Sequence, residues 1–419
     1  MTQETFQLEF GSDGRFSGAI DAARIIQKFH APAAIPVVDA ATIAAVSSPR
    51  EFPPLHQCLV PGDRVVVVLD RRTPESLAVL AGLWHEIARR EIDPNDVTIL
   101  QPADHSAAPA ADPRGLLPAP VRERIHWHVH DPTASSACSY LGTTAAGERI
   151  HLSRIVVDAD AVIPVGRVEF DRLWGYRGLH SAIYPGLSTV DALRKSHGQP
   201  HDELRAEDPR PLRQKAEEVA WLLGVQFGVA IVPSAGRGVH AVFGGQIDAV
   251  MRDAVRILNQ AWRVSPAGSP ELVLVAVDSD AAGHGWEQLA AALHSARNLV
   301  ARDGRIAVLT QLDAPLSDGL QLIRDSRKPR DAMRPLREQL PPDLLTATSL
   351  AQAVEWANVY LLSRLEPDLV EDLFMIPLGG VDEVQRLIAG EESIAILESG
   401  QHLCAESLGD HAVGSQSRP

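Results

Sequence analysis

The stretch that decides the fold is Arg64-Val-Val-Val-Val-Leu-Asp70, followed directly by Arg71-Arg-Thr-Pro74. Four consecutive valines without alternation are typical of a strand that helices bury on both faces, as in parallel sheets. A helical segment ending near Arg90 and a second apolar run, Val97–Leu100, complete a strand–helix–strand unit. Asp70 is therefore predicted at the carboxyl end of a central strand, the edge at which ligands bind in such sheets.

Short β-branched runs continue to alternate with amphipathic helical segments, which indicates an α/β fold of two domains with largely parallel sheets. Trp262–Pro270 contains the proline and glycine of a hinge, so we expect domains over residues 1–262 and 263–408, with a flexible tail at 409–419. Further strands are predicted at Ile125–Val129, Ile155–Val157, Ala161–Val165, Val229–Val232, Glu271–Val277, Gly304–Leu309, Val359–Leu362 and Ser393–Leu397, and helices at Arg213–Leu223, Ile247–Ala261 and Trp286–Arg302.

The charge and cysteine content argue against several kinds of partner. With 54 acidic and 39 basic residues in 419, the formal net charge is −15, so neither nucleic acid nor a membrane surface is an expected partner. Three widely separated cysteines argue against a disulfide framework and for a reducing, cytoplasmic location. No secretory signal pattern and no apolar run of membrane-spanning length is present, and the sequence predicts no oligomeric state.

Several stretches, in order and with similar spacing, resemble the nickel-pincer lactate racemase family between about residues 60 and 400. They are Asp70–Pro74, Tyr140–His151, Ala159–Ile163, Gly175–Gly178, Ile183–Gly186, Asp208–Ala220, Trp286–Gln288, Ala301–Ile306 and Ala357–Ser363. The resemblance implies a cleft between two α/β domains that holds a pyridinium-derived, nickel-carrying nucleotide. It also implies racemisation of a small-molecule 2-hydroxy acid, in which hydride leaves the substrate's C2 for the cofactor, a histidine takes the hydroxyl proton, and hydride returns to either face.

The resemblance also assigns roles to individual positions. His105 corresponds to a catalytic histidine of the family and is the expected general base, while His197 corresponds to the histidine that binds nickel. Gln288 corresponds to a glutamine on the substrate or cofactor side. Asp70 and Arg72 correspond to the polar positions that follow the first strand and are expected to contact the cofactor.

Three positions depart from the family pattern. The lysine that holds the cofactor covalently corresponds to Ser181, which cannot form the same amide or thioamide link, so covalent attachment is not expected. The second catalytic histidine corresponds to Asp171, and a lysine of the second domain corresponds to Ala291. Asp171 could serve as the second base if burial raised its pKa, or it could pair with the arginines near it.

Histidines offer two possible metal sites. His180 could bind nickel together with His197, since nickel accepts imidazole ligands, or it could be an ordinary surface residue. His126, His128 and His130 alternate along a predicted strand, so they could project from one face with the spacing of metal ligands. The favoured alternative places these three on a solvated strand face or at the end of the strand as caps.

Anion binding is a further possibility in the loop around Ser181. Three arginines, Arg167, Arg172 and Arg177, could hold a carboxylate or a phosphate, or they could be ordinary loop charges. Glycines there, among them Gly178, would let main-chain N–H groups approach a phosphate, although no phosphate-loop spacing is present. The set expected to contact the cofactor is therefore Asp70, Arg72, Arg177, Gly178, His180, Ser181 and Gln288.

The favoured function is a lactate racemase-like isomerase, with His105 and Asp171 as bases on opposite faces of the substrate and His197 as the metal ligand. The rival is a family member that has lost redox chemistry and works as a ligand-binding or regulatory protein. Loss of the lysine at Ser181 favours this rival, whereas the presence of both a base and a metal ligand favours the enzyme. A metal-dependent hydrolase using the three alternating histidines is a third possibility.

Overall fold

The computed structural model describes residues 2–102, 110–134, 136–198, 200–201, 204–390 and 392–406. Its strands are β1 (Gln3–Phe10), β2 (Gly14–Asp21), β3 (Ile25–Phe29), β4 (Val65–Leu69), β5 (Val97–Gln101), β6 (His126–Val129), β7 (Cys138–Thr143), β8 (Arg149–Ser153), β9 (Ala161–Arg167), β10 (Glu169–Asp171), β11 (Gly175–Arg177), β12 (Phe227–Pro233), β13 (Val239–Gln246), β14 (Arg263–Val264), β15 (Leu272–Ala276), β16 (Arg305–Leu309), β17 (Asn358–Leu362), β18 (Ile376–Pro377), β19 (Ile394–Leu397) and β20 (Cys404–Ala405).

Its α-helices are α1 (Val38–Ser47), α2 (Ser76–Ala88), α3 (Ala119–Arg122), α4 (Arg154–Val157), α5 (Leu179–Ile183), α6 (Val190–Ser196), α7 (Pro211–Leu222), α8 (Ile247–Trp262), α9 (Trp286–Leu299), α10 (Asp318–Arg324), α11 (Met333–Gln339), α12 (Leu344–Trp356), α13 (Pro367–Asp372) and α14 (Val381–Ile388). None of these helices has the length and apolar content needed to cross a membrane.

The chain folds into two compact units, one formed by residues 33–260 and the other by residues 2–32 together with 261–406. The break near residue 261 lies beside the predicted hinge. The first 32 residues, however, belong with the carboxyl-terminal part, because β3 pairs with β19. The second unit is therefore discontinuous in sequence, unlike the continuous domains expected over 1–262 and 263–408. The tail expected at 409–419 lies outside the described residues.

The unit formed by residues 33–260 contains a six-stranded sheet in the order β13-β12-β9-β4-β5-β6. All of its strands are parallel except β13, which is antiparallel to β12 at one edge. The valines of β4 are at most 3% exposed, which confirms the prediction of a central strand covered on both faces. Apolar residues of α2, among them Leu80, Leu83 and Ile87, pack into the same core as this strand.

Strand order in this sheet reverses between β4 and β9, since β5 and β6 lie on one side of β4 and β9 lies on the other. The carboxyl ends of β4 and β9 therefore flank a topological switch point, where ligands bind in open α/β sheets. The two strands approach closely there because Gly166 has no side chain: a Cβ at this position would lie 3.3 Å from the Asp70 Cβ. The candidate site lies at this edge of the sheet.

The other unit is built on a six-stranded parallel sheet in the order β18-β17-β16-β15-β19-β3. The β1–β2 hairpin alternates exposed and buried residues, as expected when one face packs on a core. Its buried side chains share one apolar cluster with the sheet, including Phe6, Leu8, Phe10, Phe16, Ile20, Leu272 and Leu274. The strands predicted around Leu272, Ile306, Val359 and Ile394 are all confirmed.

The strand predicted at Ile155–Val157 is wrong. These residues form α4, a single helical turn in which the Asp158 N–H donates to the Arg154 carbonyl at 2.9 Å. Three β-branched residues favour a strand only weakly, and here Val156 is buried by the helical turn that follows β8. Tertiary packing overrides the local preference.

Candidate functional site

Asp70 and the two residues that follow it build the first side of the site. The Asp70 N–H donates to the Val165 carbonyl at 2.9 Å, and Asp70 Oδ1 accepts the Arg72 N–H at 3.0 Å. These bonds fold the loop between β4 and α2 against the end of β9, and they bury Asp70, Arg72 and Thr73 at the switch point. The Thr73 Oγ1 is buried and has no hydrogen-bond partner among the described residues.

Glu169 is the centre of a cluster of arginines from three different elements. Its Oε2 contacts Nη2 of Arg167 at the end of β9. Its Oε1 lies 3.7 Å from Nη1 of Arg72 in the β4–α2 loop and 3.9 Å from Nη1 of Arg177 in β11. The Arg167 side chain is 4% exposed, so its charge is held away from water and needs this carboxylate nearby.

Sequence reasoning did not assign a role to Glu169, although two signals point to it. Glu169 and Arg177 lie directly opposite each other in the β10–β11 hairpin, where opposite charges stabilise the pairing. Arg167 precedes Glu169 by two positions in extended chain, a spacing that places two side chains on the same side. Neither signal reveals that Arg72, almost 100 positions earlier, joins them.

Asp171, the candidate second base, ends β10. Its Oδ1 accepts the N–H groups of Leu173 at 2.7 Å and Trp174 at 3.0 Å, so the carboxyl closes a tight turn. Burial raises the pKa of Asp171 above its usual range, and the charge of Arg177 and the two N–H bonds only partly oppose this. A raised pKa is one property that a carboxylate base requires near neutral pH.

Ser181 lies in α5 and is 4% exposed. Its hydroxyl donates to the Gly178 carbonyl at 2.7 Å, and the Nε of Arg177 lies 3.4 Å from the same oxygen. Gly178 itself packs tightly, because a Cβ there would lie 2.5 Å from Cε of Met251. The Ser181 hydroxyl therefore forms a hydrogen bond within the fold, and the guanidinium group of Arg177 lies beside it.

His180 is buried, so it is not the surface residue of the simpler alternative. Burial lowers the pKa of His180 to about 4, although Asp248, whose Oδ1 lies 3.9 Å from the ring Nε2, opposes the shift. The imidazole is therefore neutral near pH 7, the form in which it can bind a metal.

The other predicted site residues are His197, His105 and Gln288. His197 follows the last turn of α6, and its N–H donates to the Arg194 carbonyl at 3.2 Å. His105 lies outside the described residues. Gln288 belongs to the other unit, where its Oε1 accepts the Gly285 N–H at 2.9 Å and caps the start of α9.

The alternating histidines do not form a common site. His126 and His128 are exposed on β6, whereas His130 follows the strand, is 5% exposed and has its Nε2 2.7 Å from the Ser188 carbonyl. Among the described residues, no group of three or more histidine, cysteine or acidic side chains is placed to hold a metal ion. The hydrolase alternative therefore has no support in this geometry.

The fit of a nickel-pincer nucleotide can be judged from these residues. Covalent attachment does not fit, because the buried Ser181 hydroxyl is bonded within the fold and no lysine occurs between Gly178 and Gly186. Anionic groups of a nucleotide do fit, because Arg72 and Arg177 present guanidinium groups at the switch point. The residues are compatible with a nucleotide held by charge.

Comparisons with known proteins agree with this fold. A family model for the lactate racemase N-terminal domain matches residues 12–207. A lactate racemase from Thermoanaerobacterium thermosaccharolyticum is 19% identical over 357 residues, which cover 80% of this chain and 83% of that protein. The structure of the lactate racemase apoprotein from the same organism matches with a TM-score of 0.80 and 17% identity, over 96% of this chain and 100% of that one.

A crystal structure of a Thermotoga maritima protein also matches, with a TM-score of 0.66 and 14% identity over 88% of this chain and 97% of that one. At such identities the two structural matches establish the fold. The family model adds that residues 12–207 belong to the lactate racemase N-terminal domain family, and the related sequence extends the similarity to lactate racemase over most of this α/β chain.

Proposed function

We propose that the chain is an isomerase that racemises or epimerises a 2-hydroxy acid. The observation that carries this proposal is the Asp171 carboxyl, whose pKa is raised by burial and which lies two positions from Glu169 and its arginines. A proton-transfer group beside guanidinium groups suits a substrate that has a hydroxyl to deprotonate and a carboxylate to hold.

Different residues would perform the separate steps of such a reaction. Arg72 and Arg177 would bind the substrate carboxylate, and Asp171 would take the hydroxyl proton on Oδ2, since Oδ1 already accepts two N–H bonds. His105 is proposed as the base for the opposite hand of the substrate. A nickel-pincer nucleotide, when bound, would supply the hydride acceptor. His197 is proposed as its metal ligand, with Asp70, Gly178, His180, Ser181 and Gln288 among its contacts.

The alternative, a ligand-binding or regulatory protein without turnover, is favoured by one observation. The hydroxyl of Ser181 is buried and bonded to Gly178, so the cofactor has no covalent anchor at this position. A ligand would then be held by the arginine cluster alone.

One experiment separates the two functions. The chain is expressed together with cofactor-making enzymes and nickel, and a panel of single-enantiomer 2-hydroxy acids is followed by chiral chromatography. The isomerase predicts loss of enantiomeric purity for at least one acid, together with nickel that is retained in native mass spectrometry and lost on denaturation. A nickel-loaded protein that leaves every acid enantiopure would contradict the isomerase and favour the binding protein.

A further inference from the structure

We propose that Glu169 is a positioning residue that gathers Arg72, Arg167 and Arg177 into a binding site for an oxyanion, either a carboxylate or a phosphate. The site lies at the switch point between β4 and β9. The choice of a hydroxy acid or a nucleotide as the ligand rests on the proposed function, whereas the site itself rests on the geometry of the cluster.

Three guanidinium groups from three separate elements converge on one carboxylate. Like charges at this separation repel, and the repulsion is stronger where side chains are shielded from water. The side chains of Arg167, Arg72 and Glu169 are 4%, 11% and 16% exposed. Without the negative charge at the centre, the guanidinium groups would move apart. Glu169 therefore sets the geometry of the cluster.

Glu169 lies near two of the arginines at distances longer than a hydrogen bond. Its Oε1 lies 3.7 Å from Arg72 Nη1 and 3.9 Å from Arg177 Nη1, both beyond hydrogen-bond distance. The carboxylate offsets the positive charge of these groups and forms no hydrogen bond with either Nη1. A ligand oxyanion can accept bonds from the partly exposed Arg177, and bonds of this charged kind are among the stronger ones in proteins.

Two further features favour a ligand site over a purely structural ion-pair cluster. The Arg177 side chain is 25% exposed, so a small molecule can reach it. The Thr73 hydroxyl, next in sequence to Arg72, is 2% exposed and lacks a hydrogen-bond partner among the described residues. A buried hydroxyl without a partner costs free energy, and a bound oxyanion would remove that cost by accepting its hydrogen.

The test measures binding by isothermal titration calorimetry on the full chain, without turnover. Lactate is compared with lactamide, its neutral analogue, and AMP is compared with adenosine. We expect the wild-type chain to bind lactate or AMP and to bind the matching neutral analogue at least tenfold more weakly. Binding of lactate only identifies the ligand group as a carboxylate, and binding of AMP only identifies it as a phosphate. Failure to bind either anion would overturn the proposal.

The variants separate positioning from simple charge. Arg177→Gln should weaken anion binding about tenfold. Arg64→Gln should leave it unchanged, because Arg64 pairs with Asp160 at the opposite ends of β4 and β9. Glu169→Gln makes the site more positive, so electrostatics alone predicts tighter binding. Positioning predicts binding about tenfold weaker and recovery in Glu169→Asp. Tighter binding by Glu169→Gln would show that Glu169 competes with the ligand, and the positioning role would be wrong.

Unfolding is controlled for by circular dichroism, and Arg177→Lys, which keeps the charge and loses the planar fork, provides a milder second variant with an intermediate loss of affinity.

The anion site and the isomerase activity can fail separately. Anion binding without racemisation would leave this site in place and contradict the isomerase. The reverse outcome is also possible: the chain racemises a 2-hydroxy acid, but Arg177→Gln, Arg177→Lys and Glu169→Gln leave its anion affinity unchanged. That result would support the isomerase and contradict this anion site.

Discussion

Two carboxyl groups on one three-residue strand have different surroundings. Glu169 faces guanidinium groups from the β4–α2 loop, β9 and β11. Asp171 is half-buried and bonded to main-chain N–H groups, and the nearby charge of Glu169 adds to the rise in its pKa. When two neighbouring acids have environments that give them different pKa values, one can stay ionised while the other transfers protons.

Asp171→Asn keeps an oxygen that can accept the two N–H bonds of the turn but cannot take a proton, so racemase turnover should fall about 100-fold or more. Because the folded pKa is raised, ionised Asp171 costs stability at neutral pH, and the variant should unfold at the same temperature or a higher one. Chiral assay and thermal unfolding measure the two effects.

The pH profile gives an independent check on Asp171. The wild-type rate should rise with pH through the raised pKa of this carboxyl, which lies above the ordinary value of 3.8, and Asp171→Asn should lose this limb. Asp160→Asn, at the amino ends of the same strands, is the matched control and should retain it. An unchanged profile in Asp171→Asn would assign the proton transfer to another group.

Among the elements, α2 connects the site loop to the rest of the sheet, and it contains a buried acid of its own. Glu86 is fully buried; His56 Nδ1 lies 2.8 Å from its Oε2, and Arg89 Nη1 donates to its Oε1 at 3.0 Å. Burial by itself would raise the pKa of Glu86, but bonds from Arg89, His56 and Ser47 together hold it below its usual range. The ionised form therefore stabilises the contact between α2 and the turn before β4.

We predict that Glu86→Gln lowers the free energy of unfolding by about 1–3 kcal/mol at pH 7. The contribution of Glu86 is present above its ordinary pKa of 4.5 and is lost as the pH falls through the lower folded value, so the difference should shrink in acid. Urea unfolding at several pH values measures it. Glu338→Gln, which removes an exposed pair with Arg334, should cost less than about 0.5 kcal/mol.

For the whole molecule, the amino-terminal 32 residues complete the unit formed by residues 261–406. They supply the edge strand β3 and a hairpin whose buried side chains include Phe6, Leu8, Phe10 and Phe16. At about 2 kcal/mol for each large side chain, this burial is worth on the order of 8 kcal/mol, comparable with the stability of a typical domain.

We therefore predict that a polypeptide of residues 261–419 alone exposes apolar surface, binds the dye ANS and aggregates. Joining residues 1–32 after residue 419 through a flexible linker should restore cooperative thermal unfolding, because it supplies β3 and the hairpin again. Residues 33–260, which form a continuous unit, provide the control and should fold alone. Cooperative unfolding of 261–419 without the first 32 residues would contradict the prediction.

The sequence by itself determined the α/β class, the buried central strand and the place of Asp70 at its carboxyl end, because these depend on local periodicity. Its ordered motifs also led to the lactate racemase family. Only the tertiary structure decided that Glu169 joins Arg72, Arg167 and Arg177, that residues 25–29 pair with 394–397, and that Ile155–Val157 is helical. These outcomes depend on contacts between residues distant in sequence, whose free energies outweigh local preferences.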